Sequence, residues 1–158
     1  MKLKRSSLGK VKLAMLMLPI LGAPAIAQDR SERRATGEAA LKRITGSDGR
    51  AVVDSLGDMA PELGEWIVDF AYGDVFARPG LSDCKRELAT VAALTALGNA
   101  RPQLEVHIGG ALNVGCSPRE IVEVILQMAV YSGFPSAING ISAARTVFEA
   151  RGVTAGEE

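Results

Sequence analysis

Residues 83–148 read DCKRELATVAALTALGNARPQLEVHIGGALNVGCSPREIVEVILQMAVYSGFPSAINGISAARTVF, and this stretch decides the fold. Three breaks divide it: Gly98-Asn99, Asn113-Val114-Gly115 and Gly133-Phe134-Pro135. Glycine, asparagine and proline at such positions end helices, so the pieces between them are helical candidates. In the first piece Cys84, Glu87, Val91 and Leu94 follow one another at three, four and three residues. That spacing puts a carboxylate on the same helix face as apolar side chains, with Ser82 or Asp83 as the N-cap. In the second, Pro102 opens a helix whose stripe is Leu104, Ile108, Ala111 and Leu112. His107, the one histidine of the chain, stands beside that stripe, and Gly109-Gly110 would let another backbone come very close. In the third, Ser117-Pro118-Arg119-Glu120 spells a capping box with proline at the first helical position. The helix it opens is apolar nearly all round, which predicts burial in a core or between subunits. A final helix rich in small residues runs from Ser136 to a stop at Gly152.

Upstream the signals are weaker. Gln28–Arg50 is polar, with Ala35, Ala39 and Ile44 as a loose helical stripe ending near Gly46. Ser47-Asp48-Gly49 is a break, and Val52, Val53, Leu56 and Met59 predict a second amphipathic helix. Pro61 begins a third, carrying Leu63, Trp66, Ile67 and Phe70, and Gly73–Gly80 reads as a loop with aromatic content. Alternation long enough for a sheet is missing, so the expected class is all-α. The expected division is a leader over 1–27, a helical or flexible segment over 28–50, one domain over 51–152 and a disordered tail over 153–158.

The leader expectation rests on Lys2, Lys4, Arg5, Lys10 and Lys12 followed by LAMLMLPILGAPAIA, residues 13–27. A basic start, an apolar run and a small-x-small end at Ala25-Ile26-Ala27 describe a cleavable secretory signal. The apolar run is too short for a relaxed membrane span. A periplasmic or secreted protein, with no membrane attachment after signal removal, is therefore expected. Of the 18 Lys and Arg residues, the five in 1–27 leave with it, so 13 basic face 18 acidic residues and the net charge becomes −5. An acidic surface without a basic cluster argues against nucleic acid as a partner. One histidine and two cysteines 32 residues apart do not make a metal set. In an oxidising compartment Cys84 and Cys116 can pair, although sequence does not place their backbones within bonding distance.

A carboxylate on an apolar face needs a hydrogen-bond partner or a proton. For Glu87 the partner is His107, or an arginine (Arg78, Arg86 or Arg145), or water at the edge of the core. Trp66, Phe70, Tyr72 and Phe76 either line a pocket or belong to the core, as does Tyr131. Cys84 and Cys116 read as apolar filler or a bridge before they read as nucleophiles. The Glu120 and Glu123 line reads as a solvated face.

FAYGDVFARPGLS (70–82), RELATVAALTALG (86–98) and LEVHIGGALNVGCSPREIVEVILQMAVYSGFPSAING (104–140) resemble the carboxymuconolactone decarboxylase family, in the family's order. The resemblance covers about Leu56 to Arg151. It implies an all-helical subunit of the alkylhydroperoxidase-D-like type, assembled as trimers or hexamers with sites near subunit contacts. In the redox branch of that superfamily a CxxC precedes the histidine. The histidine corresponds to His107 and its relay glutamate to Glu87, but the cysteine positions hold Ala100 and Gln103. Dithiol chemistry is therefore not expected there. What the resemblance implies is a cofactor-free carboxy-lyase of aromatic-compound catabolism, acting on a small lactone or carboxylate. His107 and Glu87 would be catalytic, and Arg78, Arg86, Tyr131 and Trp66 would bind substrate. The alternatives are a periplasmic thiol-dependent peroxide or redox protein and a non-catalytic oligomeric binding protein.

Overall fold

The computed structural model describes residues 22–156, with side chains from Asp29 onward. Most of the expected leader lies outside the described residues. Helix α1 spans Gly22–Asp54, α2 Pro61–Trp66, α3 Asp83–Leu97, α4 Arg101–Asn113, α5 Pro118–Ser132 and α6 Phe134–Arg151. A π-helical segment, Ile67–Phe76, continues α2 with wider turns. No strand occurs among the described residues.

The helix ends from α3 onward follow the sequence punctuation. The Ser82 side chain accepts from the Lys85 N–H, and Gly98 closes α3 in the left-handed conformation, φ 73°. Ser117 and Glu120 form both halves of the capping box on α5. Gly152, at φ 66°, closes α6. Each is the cheapest local solution for backbone groups that a helix terminus leaves unpaired.

Three upstream expectations are corrected. Gly46 (φ 61°, ψ −132°) leaves the helical region and divides α1 into two helical stretches, as the stop expected there requires, but Ser47-Asp48-Gly49, expected as a break, already belongs to the second stretch. Val52 and Val53 belong to its last turn, whereas Leu56 and Met59 lie in the following turns and Met59 is exposed. Residues 73–76, expected in a loop, still belong to the π-helical segment.

The buried face of α1 is also phased differently from the Ala35, Ala39, Ile44 stripe. Gly37, Ala40, Leu41, Ile44 and Thr45 face inward, while Ala35 is exposed. The anchor that shifts the phase is a glycine. A Cβ on Gly37 would stand 2.1 Å from the Val68 carbonyl oxygen, and one on Gly73 would stand 2.9 Å from the Arg33 carbonyl oxygen. The two backbones thus cross in direct contact, which only glycine permits. Arg34 Nη2 donates to Asp69 Oδ2 at 2.9 Å and Arg33 pairs with Asp74, which sets the same crossing from the outside.

Two apolar clusters result. Ala40, Leu41, Ile44, Val68 and Tyr72 join α1 to the π-helical segment. Val91, Leu104, Ile108, Ile121, Ile125 and Phe148 belong to the larger one, between α3, α4, α5 and α6. Small residues on α6 let α5 come close: a Cβ on Gly140 would stand 2.8 Å from Ile125 Cγ2. The helix expected to be buried in a core or between subunits, α5, is buried within this chain along Ile121 and Ile125 and leaves Leu126, Val130 and Tyr131 exposed. The seam between the two clusters is where Ile44 of α1 meets α4 at Gly110 and Asn113, and the titratable pair lies there.

Candidate active site

Glu87 is held by its helix. The Ser82 cap starts α3, and the stripe of Glu87, Val91 and Thr95 is buried against the rest of the fold. On α4 the buried positions Leu104, Ile108 and Ala111 turn His107 toward α3. The imidazole Nδ1 lies 3.0 Å from Glu87 Oε2 and 3.3 Å from Oε1. Glu87 has no solvent exposure, while the His107 side chain keeps 18%. With the carboxylate ionised, Nδ1–H donates to it, and this fixes the tautomer and leaves Nε2 for a reacting molecule. The arginines proposed as alternative partners of Glu87 are not what pairs with it in this geometry. The carboxylate is satisfied by the imidazole.

The space for that carboxylate is made by a glycine. A Cβ on Gly110 would stand 2.9 Å from Glu87 Oε2 and 3.4 Å from Ile44 Cγ2. Sequence reasoning expected a backbone to approach the glycine pair; at Gly110 the approaching group is a side chain. Gly109 instead faces the guanidinium of Arg151.

Aromatic side chains from the π-helical segment close the other side. The Phe76 ring lies 6.3 Å from the His107 ring, and the Tyr72 ring lies 5.0 Å from Phe76. Burial pushes the Tyr72 phenol well above the usual tyrosine range and the charge of Glu87 adds to it, while a hydrogen bond with Thr45 opposes both. Thr45, itself buried, donates its hydroxyl to the Leu41 carbonyl at 2.8 Å. The charge of Glu87 thus acts on the Tyr72 phenol of the π-helical segment, and Thr45 of α1 bonds that phenol. The sequence offered no signal for Thr45 beyond a hydroxyl next to Ile44.

The other expected site residues are distributed differently. Arg86 Nη2 donates to the Arg78 carbonyl oxygen at 2.7 Å, so the two arginines meet through a loop-closing bond. The Arg86 Nε is buried without a hydrogen-bond partner, and Arg78 itself is exposed. Trp66 and Tyr131 are 64% and 77% exposed, on the surfaces of α2 and of the last turn of α5. The reading of Trp66, Phe70 and Tyr131 as core is corrected: Val68 and Tyr72 take the inward face, which turns Trp66 and Phe70 outward. Cys84 and Cys116 are bonded to each other, with Cα atoms 5.3 Å apart. No group of three or more potential metal ligands occurs among the described residues.

This all-helical arrangement, with a buried glutamate facing a histidine, coincides with a family match. The sequence model of the carboxymuconolactone decarboxylase family matches residues 61–146, from the start of α2 into α6. The chain belongs to that family. It is 34% identical to the 4-carboxymuconolactone decarboxylase of Acinetobacter baylyi over 101 residues, which cover 64% of this chain and 75% of that protein. It is 39% identical to the nitrosuccinic acid decarboxylase of Metarhizium robertsii over 77 residues, covering 49% of this chain and 53% of that protein. A 15.0 kDa protein of Paracoccus denitrificans is 33% identical over 91 residues, 57% of this chain and 68% of that protein.

Proposed function

We propose that this protein is a carboxy-lyase that needs no cofactor and acts on a small lactone or carboxylic acid, with Glu87 and His107 moving the proton. The observation that carries the reading is the 3.0 Å approach of a fully buried carboxylate to the only imidazole. Two relatives named as decarboxylases support the reaction class. For a carboxylated butenolide, the bond from the γ-carbon to the carboxylate breaks and its electron pair passes into a dienolate. His107, protonated at Nε2, gives that proton to the α-carbon, and the released imidazole recovers one from water. Glu87 holds the ring in the tautomer that presents Nε2 and stabilises the imidazolium. Arg78, in the turn before α3, and Arg86, on α3 next to Glu87, are the cations suited to a substrate carboxylate, Arg86 through an N–H that the protein does not use. Tyr131 and Trp66 would reach substrate only across a contact with another subunit.

That contact is part of the proposal. Trp66, Phe70, Val130, Tyr131, Phe134 and Ile138 are large apolar side chains that stand mostly in the open, which supports burial against another subunit; a homotrimer or homohexamer is the assembly that the family resemblance implies. The Cys84–Cys116 bond supports an oxidising, periplasmic or extracellular location.

The test is turnover of 4-carboxymuconolactone by the purified protein, followed by carbon dioxide release. His107→Ala should lower turnover by roughly 100-fold or more, and Glu87→Gln should lower it too, with helix content and assembly kept. Undiminished turnover in His107→Ala would remove the imidazole from the mechanism. No turnover by the unmodified protein would remove this lactone as its substrate.

A further inference from the structure

The Cys84–Cys116 bond takes no part in the proton transfer, yet it crosses the same two helices. Cys84 is in the first turn of α3, three residues before Glu87 and on the same face. Cys116 follows α4, and its backbone N–H donates to the Ala111 carbonyl at 2.9 Å, which fastens it to the end of the helix that carries His107. A closed circuit results: from Cys84 along α3 to Glu87, across the hydrogen bond to His107, along α4 to Ala111 and Cys116, and back through sulfur. The Glu87–His107 contact is the non-covalent link of that circuit. The other polar ties on the first turn of α3 are the Arg43–Asp83 pair, which runs to α1, and the bond from Arg86 to the Arg78 carbonyl in the preceding loop; neither reaches α4. Exposed pairs of this kind constrain little.

We infer that the Cys84–Cys116 bond positions Glu87 against His107, and that it is a site of reversible reduction by dithiols through which the pair is slackened. Cys116 is only 4% exposed, while Cys84 is partly open. A surface groove of about 720 Å³ is lined by Leu88, one turn after Cys84, and by Gly115 and Ser117, which flank Cys116. The groove lies beside the bond without either cysteine in its lining, and the partly open Cys84 is the sulfur that a small dithiol can reach. The thiolate of the dithiol attacks Cys84 Sγ, the S–S bond breaks, and the electron pair leaves on Cys116 Sγ, which then takes a proton. The second thiol of the reagent displaces the mixed disulfide, so that two electrons pass to the protein and the reagent closes into its own disulfide. Neither cysteine corresponds to the CxxC positions, which are Ala100 and Gln103, so this bond is a constraint on the site and not its nucleophile.

The single histidine makes the idea directly measurable, because the imidazole signals of the full chain come from one residue. Heteronuclear NMR of the ring is recorded with the bond intact, after dithiothreitol, and in Cys84→Ser and Cys116→Ser, each beside far-UV circular dichroism. The expected result is retained helix content with displaced imidazole signals in the reduced protein and in both variants, and no further response of the variants to dithiothreitol. If the serine variants do not fold, stepwise reduction of the unmodified protein provides the same comparison. Imidazole signals unchanged by reduction would overturn the inference, as would signals that move only as the helices melt. Two titratable thiols in the unreduced protein would overturn it as well. The activity arm alone rests on the proposed decarboxylation: turnover of 4-carboxymuconolactone should fall at least tenfold on reduction. A lactone left intact in both states while the imidazole responds counts against that reaction and not against the role of the bond.

Discussion

Gly110 and Glu87 fit each other: the carboxylate Oε2 stands 2.9 Å from where a Gly110 Cβ would be. The buried acid faces its histidine because the neighbouring helix carries no side chain at that point.

Gly110→Ala is therefore expected to damage the site more than the fold. The added methyl must push the carboxylate end of Glu87, which loosens the 3.0 Å bond to His107. Alanine gains about 0.8–1.0 kcal/mol of helix propensity over glycine in α4, which offsets the steric cost at the low end of its range of about 1–3 kcal/mol, the end expected when the displaced atom is the tip of a side chain. Activity should fall at least tenfold while the chemical denaturation midpoint changes little. Full activity in this variant would mean that the carboxylate position does not matter.

Tyr72 should make the protein sensitive to alkali. Its phenol is raised above the ordinary range in the folded chain, so above about pH 10 the unfolded chain gives up a proton that the folded chain keeps. Stability then falls as pH rises, by up to about 1.4 kcal/mol per pH unit from this one group. Tyr72→Phe should cost about 0.5–1.5 kcal/mol at neutral pH, through the lost hydroxyl bond, and should flatten the decline between pH 10 and 11. Tyr131→Phe, at the exposed tyrosine, is the control and should leave the slope alone. Urea melts across that range decide it, and equal slopes in all three proteins would contradict the assignment.

Val130→Asp addresses the open apolar face. Val130 is 78% exposed on α5, near Tyr131 and Phe134 in sequence, and a charge there opposes burial by another subunit. The expected outcome is a loss of assembled species in sedimentation velocity, with the helical signal of the subunit retained. An unchanged sedimentation coefficient would place any subunit contact elsewhere.

The helix ends from Ser82 to Gly152 were legible because each depends on local chemistry: an N-cap hydroxyl, a proline at the first helical position, or a glycine able to adopt positive φ. Glu87 and His107 were legible for a related reason. A titratable group set into an apolar stripe is an inconsistency that requires a partner, and the chain has one histidine to offer. The failures came where contact between distant segments overrides local pattern. Gly37 anchors α1 by backbone contact with Val68, which hydrophobic periodicity does not register. Trp66 and Phe70 look like core side chains, but the fold turns them outward in favour of Val68 and Tyr72.

Sequence by itself determined that the chain is helical, where most of its later helices begin and end, and that Glu87 lies on an apolar stripe and His107 beside one. Each of those follows from interactions within one or two turns. Tertiary structure alone decided that Gly110 clears the space for Glu87, that His107 and no arginine pairs with it, and that Cys84 reaches Cys116. These are meetings between segments far apart along the chain, and their geometry exists only once the helices have crossed.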